Sequence, residues 1–308
     1  MSYALRHDQS LGENIRRICR KQIERAIAIA SGKEKPDDTP AHETRKHLKK
    51  TRAALRLVRH EIGRGLFREQ DHRLRDVGRL ISDIRDAEVR LQTVRELETI
   101  MKRRHRPAGR KLELMLALEL ENFMAAFAEW QTQAIPLLEK ACTAVDAWSL
   151  DHFDCKQLRC AVQTTYKKAR RCLATARKEQ TATAFHEFRS VAKILWQQLR
   201  ILCPTNSVVL ETLCDDLRSL GDLLGRAHDL SFLGDRLRRE QGKSDWQREG
   251  QKLLAVIEVS EADLQRAAAE LAERFFAERP REFGERVAGW LEAWIDSGAP
   301  SIAPALVG

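Results

Sequence analysis

His42-Glu43-Thr44-Arg45-Lys46-His47-Leu48-Lys49-Lys50-Thr51-Arg52-Ala53-Ala54-Leu55-Arg56 places basic residues at 42, 45, 49, 52 and 56. Steps of three, four and seven put these on one helical face, about one per 5.4 Å turn. Ala41, Thr44, Leu48, Thr51, Leu55 and Val58 form the packing face of the same helix. The pattern recurs in His186-Glu187-Phe188-Arg189, continuing through Lys193 and Arg200, 144 residues on. Its packing positions, Phe185, Phe188, Ala192, Leu195, Leu199 and Leu202, keep the same offset. Each helix therefore packs on one side and shows cations on another. Like charges repeated along one face repel, and an anion between them removes that cost.

The chain has 308 residues, 43% hydrophobic and 32% charged, which is globular rather than disordered. Its net charge of +9 is unevenly spread. His42–Arg59 carries +6, Lys156–Lys178 +8, Lys102–Lys111 +6 and Arg16–Lys21 +4, so the remainder is strongly acidic. Mixed-sign surfaces are the norm, and segregated single-sign runs generally face a ligand. Seven cysteines form no C-x-x-C pair and read as packed free thiols of a reducing compartment. No apolar run approaches the ~18 residues of a membrane span, and Met1–Asn14 lacks the apolar core of a signal peptide. A cytoplasmic protein with no membrane partner is expected.

Apolar periodicity is helical almost throughout, so the expected class is all-α. Breaks fall at Gly32–Pro40, Gly63–Gly65, Arg106–Gly109, Trp148–Asp154, Glu179–Thr181, Pro204–Asn206, Gly242–Asp245 and Pro280. Thr39 and Thr183, three residues before the two histidines, are the expected N-caps, with Pro40 at the first helical position of one copy. A second signature, Ile84-Arg85-Asp86-Ala87, is answered by Ala227-His228-Asp229-Leu230 at an offset of 143. The chain thus reads as a duplication. Two pseudo-two-fold-related, four-helix-bundle-like halves, about 8–147 and 152–298, are expected to form one domain over 8–298.

On these motifs the chain resembles the CHAD family, the histidine-bearing α-helical domain, whose pattern is H-x-x-R-x-x-x-K-[RK]-x-R in each half with an R/N-D step downstream. The first copy fits at His42, Arg45, Lys49, Lys50 and Arg52. The second fits at His186, Arg189 and Lys193 but has Ile194 and Trp196 where the pattern is basic, which thins its charge. Asp86 and Asp229 match the downstream aspartates, and Tyr166-Lys167-Lys168-Ala169-Arg170-Arg171 resembles the basic helix opening the family's second half. The resemblance implies an all-α fold that binds inorganic polyphosphate at polyphosphate granules, without catalysis. The partnered hydrolase signature of CYTH domains, E-x-E-x-K, is missing: Glu96-x-Glu98 and Glu119-x-Glu121 are followed by Ile100 and Phe123.

The chemistry agrees with that implication. A linear polyphosphate carries a charge on every monomer and offers no bases, which suits rows of Arg forks and Lys point charges. The expected ligands are His42, Arg45, Lys46, Lys49, Lys50, Arg52, Arg56, His186, Arg189, Lys193 and Arg200, joined by Lys167, Lys168, Arg170 and Arg171. Asp86 and Asp229 are expected to hold some of these cations in place. The competing reading has the stripes pairing acids on a neighbouring helix. No catalytic residue, cofactor or metal is expected: Glu69-x-x-His72 occurs once where a helical metal pair needs the motif twice, and no G-x-x-x-x-G-K-[ST] loop is present. Nucleic acid remains a rival partner on charge alone, but the basic runs offer only Tyr166 and Trp196 for stacking. A polyphosphate-metabolising enzyme is the other rival, and would need carboxylates holding Mg²⁺ on the cationic face.

Overall fold

The computed structural model describes residues 3–100, 106–126, 129–240 and 247–298. Residues 102–105 of one basic run, and the expected break at 242–245, lie outside these. Among the described residues the chain forms eleven α-helices and no strand: α1 (Leu11–Ala30), α2 (Pro40–Leu57), α3 (Arg64–Leu80), α4 (Ser82–Ile100), α5 (Arg106–Ala126), α6 (Trp130–Asp146), α7 (Cys155–Glu179), α8 (Ala182–Leu202), α9 (Ser207–Glu240), α10 (Gln247–Phe275) and α11 (Pro280–Gly298). The two motif helices are α2 and α8, and they pack against each other.

Local signals set the helix starts. Ser10 and Asp154, 144 residues apart, each close a capping box, with Glu13 and Gln157 reaching back to the cap N–H. Each box satisfies two backbone donors that a helix start otherwise leaves open. Thr39 caps α2, accepting from the His42 N–H at 3.2 Å, and Pro40 follows it. In α8 the cap is Thr181, which accepts from the Ala184 N–H, rather than the expected Thr183. That helix begins two residues earlier because no proline forbids it there. The neighbour relations of the first half recur in the second: α1 lies on α2 and α6 as α7 lies on α8 and α11, and α4 pairs α5 as α9 pairs α10.

The cores cut across the halves. One large core joins α1, α2, α3 and α6 to α7, α8, α11, the first part of α9 and the last part of α10. Within it Tyr166 is fully buried, stacked on Phe283 at 4.1 Å, and its hydroxyl donates to the Glu278 carbonyl at 3.1 Å. It offers no stacking surface to a ligand. A separate cluster packs Leu91, Val94 and Leu97 of α4 and Leu112 and Leu116 of α5 against Leu230, Leu233 and Leu237 of α9 and Leu253, Leu254 and Ile257 of α10. Each half thus lends one helical hairpin to a bundle that neither completes alone. The passage from one core to the other falls between Ile84 and Leu91 on α4, and between Leu224 and Leu230 on α9.

Candidate functional site

At that seam the two motif helices bring their cations together. Lys49 on α2 is surrounded by Lys193 and Arg189 of α8, by Arg45 of its own helix and by Arg85 of α4. Its side chain reaches solvent, yet protein walls it in on most sides. Burial first, and then these four cations, lower its pKa to about 7. Lys193 falls to about 8, through burial and Arg189, with Asp229 and Asp222 acting the other way. Burial also lowers Arg45 and Arg189, each opposed by its own aspartate, Asp86 and Asp229 respectively. Among the described residues none of Arg45, Lys49, Arg189 and Lys193 forms an ion pair within 4.0 Å. Arg189 Nε is buried with no hydrogen-bond partner.

Small residues on the facing helices make room for these heads. Arg45 Nη1 reaches the Gly78 carbonyl of α3 at 3.5 Å. On α9, Gly221 and Gly225 take the stem of Lys193 and the guanidinium of Arg189, about where side chains would begin, at 3.6 and 3.7 Å. The first-half side of the cleft opens into a recess of about 230 Å³ lined by Arg45, Lys49, Arg52, Arg75, Gly78 and Arg79, among others. On the second-half side, His186 Nδ1 meets His228 Nδ1 at 3.3 Å, the rings 4.5 Å apart. Burial, then Arg189, His186, Lys193 and Lys49, push His228 down to about 4, and burial with Arg189 lowers His186. His42, 3.6 Å from Asp38, is lowered by burial and by Arg85.

Not every expected ligand is there. Lys46 turns away and binds both oxygens of Glu43 at 3.0 Å. Lys50 and Arg200 flank the Tyr3 ring at 5.5 and 5.6 Å, and Arg200 also lies over Trp196 at 5.1 Å. Arg170 donates to the Glu278 carbonyl at 3.1 Å, on the side of α7 that faces the α10–α11 turn. Lys167, Lys168 and Arg171 are exposed on α7. Of the expected ligands, Arg45, Lys49, Arg189 and Lys193 cluster, while Lys46, Lys50, Arg170 and Arg200 are turned to other partners.

Arg52 satisfies both readings at once, and Arg56 the acid-pairing one. Arg52 lines the recess, yet its Nε donates to Asp71 at 2.8 Å, while Arg56 and Arg75 approach the same carboxylate at 3.4 and 3.0 Å. Three guanidinia share one acid. Burial raises the Asp71 pKa, but the Arg52 hydrogen bond and the charges of Arg56, Arg52 and Arg75 outweigh it and hold the carboxyl below its usual range. Asp71 is 7% exposed, and Arg52 and Arg56 about a quarter. Asp71→Asn leaves those three cations facing one another, and should cost about 2–3 kcal/mol in denaturant unfolding, below a fully buried pair because the arginines are partly solvated. Unchanged stability would mean that the arginines do not depend on Asp71.

Four contributors escaped the sequence reading. Arg85 and His228 occupy the same step of the second signature, immediately before Asp86 and Asp229. That shared step was the available signal. Arg75 and Arg79 are one turn apart on α3, with nothing in the sequence to point them at α2. Among the described residues no group of three His, Cys, Asp or Glu is placed to hold a metal, and no helix is long and apolar enough to cross a membrane.

A family model described as the CHAD domain matches residues 17–238. The chain is similar to the solved structure of PptA from Streptomyces chartreusis at 12% identity and a TM-score of 0.66, over 87% of this chain and 99% of that one. It is also similar to the crystal structure of the CHAD domain from the plant Ricinus communis at 17% identity and a TM-score of 0.57, over 88% and 95% respectively. At those identities the likeness speaks to the fold. No curated protein matches the chain.

Proposed function

The chain belongs to the CHAD domain family, and from that premise we propose that it binds inorganic polyphosphate in the cleft between α2 and α8. The observation that carries the reading is the cluster Arg45, Lys49, Arg189 and Lys193, four cations from two related helices with no ion pair among the described residues. Holding them together without an anion is costly, since burial and mutual repulsion both disfavour the charged forms. A linear polyanion passing across both helices removes the repulsion and gives the guanidinium forks oxygen acceptors. Asp86 and Asp229 act behind the arginines, limiting their repulsion. The protein acts by binding rather than hydrolysis, in one domain over 8–298, and gathers with polyphosphate in granules.

The test is competition. Polyphosphate, single-stranded RNA and duplex DNA, matched in charge and salt, should bind in that order of decreasing strength. Polyphosphate should stay intact with Mg²⁺ present. Equal affinity for RNA, or release of orthophosphate, would overturn the reading.

A further inference from the structure

Away from the cleft, two thiols face each other where α8 ends. Cys203 opens the short 3₁₀ turn Cys203–Thr205, and Cys214 lies two turns into α9. Their sulfurs are 3.8 Å apart. The other five cysteines make no thiol–thiol contact among the described residues. Closing less than ~2 Å brings Cys203 and Cys214 to bonding distance. Cys203 sits in a single tight turn rather than inside a long helix, so it can make that movement.

We propose that Cys203 and Cys214 form a dithiol site that closes reversibly to a disulfide on reaction with a small disulfide oxidant such as oxidised glutathione, Cys203 attacking and Cys214 resolving. The roles follow from access. Cys203 is half-buried and can meet an oxidant, whereas Cys214 is 7% exposed and can meet only Cys203. The electrostatics agree: the Cys214 hydrogen bond, helped by Arg200, holds the Cys203 thiol below its usual range against burial, Glu211 and Asp215. The same hydrogen bond, together with burial, raises Cys214. An accessible thiolate backed by a protonated partner is the arrangement that reacts first and is then resolved.

In the first step the Cys203 thiolate attacks one sulfur of the oxidant. The S–S bond of the oxidant breaks, a mixed disulfide forms and one glutathione thiolate leaves. Cys214 then gives up its proton and attacks Cys203 Sγ, expelling the second glutathione. Two protein thiols are oxidised, and one small disulfide is reduced to two thiols. Disulfides of reducing compartments are characteristically transient and of this sensing kind.

The experiment exposes the full chain to graded ratios of oxidised to reduced glutathione, followed by alkylation and peptide mapping. The expected result is a Cys203–Cys214 linked peptide pair that dithiothreitol reverses. Cys214→Ser should accumulate glutathione on Cys203, and Cys203→Ser should show neither the link nor glutathione on Cys214. Two outcomes in the unsubstituted protein overturn the proposal: both thiols still open to alkylation when the exposed Cys160 already carries glutathione, or a mixed disulfide on Cys203 that never resolves.

Discussion

Replacing Arg45 and Lys49 together by alanine should weaken polyphosphate binding at least about tenfold. Each substitution removes a charge-assisted phosphate contact of about 1.5–3 kcal/mol, and about 1.4 kcal/mol is one decade. Alanine keeps helix propensity, so α2 itself should persist. From the sequence, the thinner charge of the second copy predicts a smaller loss for Arg189 and Lys193. The structure revises that expectation. Ile194 stands at the equivalent of Lys50, which points to Tyr3, and Trp196 at that of Arg52, which Asp71 already pairs, so neither removes an unpaired cation from the cluster. Arg189 and Lys193 lie in the same cluster as Lys49, and their double alanine variant should lose about as much. Equilibrium titration of the two double variants decides the point; a loss under threefold in both would leave the cleft without a role in binding.

Raising the pH from about 7 to about 9 should lower affinity by at least about tenfold, while the unliganded protein gains stability over the same range. Both follow from Lys49 near 7 and Lys193 near 8, against an ordinary lysine value above 10. Above those values the free cleft has lost charge, so binding must first recover protons, and affinity falls as they become scarce. Calorimetry in buffers of different ionisation enthalpy should register that proton uptake. Unfolding moves the other way. The unfolded chain holds the lysine protons up to about pH 10 and the folded chain releases them earlier, so stability rises with pH across that window. His47 and His228, both near 4 against an ordinary value of about 6.5, make the folded state lose stability as pH falls from 6.5 toward 4. Affinity and stability that rise together between pH 7 and 9 would refute the lysine assignment.

The helices and the first ring of the site were legible because both depend on local spacing. Periods of three and four fix a helix face, and the 144-residue offset marks Arg45 and Lys49 as equivalents of Arg189 and Lys193. The same periodicity places Lys46 and Lys50 a further ~100° round the helix; charge alone gathered Lys46 into the expected site, and the family pattern gathered Lys50. What stayed hidden was non-local. Asp71 comes from α3 to hold Arg52 and Arg56, and Tyr3 from the N-terminal segment to lie between Lys50 and Arg200. No pattern within α2 or α8 encodes either partner. The crossing of the cores was equally invisible: leucines on α4, α5, α9 and α10 announce buried faces without saying which faces meet.

That crossing bears on ancestry. A half-length forerunner ending near Asp146 would have carried the α4–α5 hairpin with its leucines facing water, because their present partners belong to α9 and α10. Such a chain gains a complete interior only by pairing with a second copy of itself, each lending the other a hairpin. Fusion of the two genes would then have turned a homodimer interface into the interior of one polypeptide. The cationic cleft, lying where both copies meet, would have been a property of the pair before it belonged to a single chain.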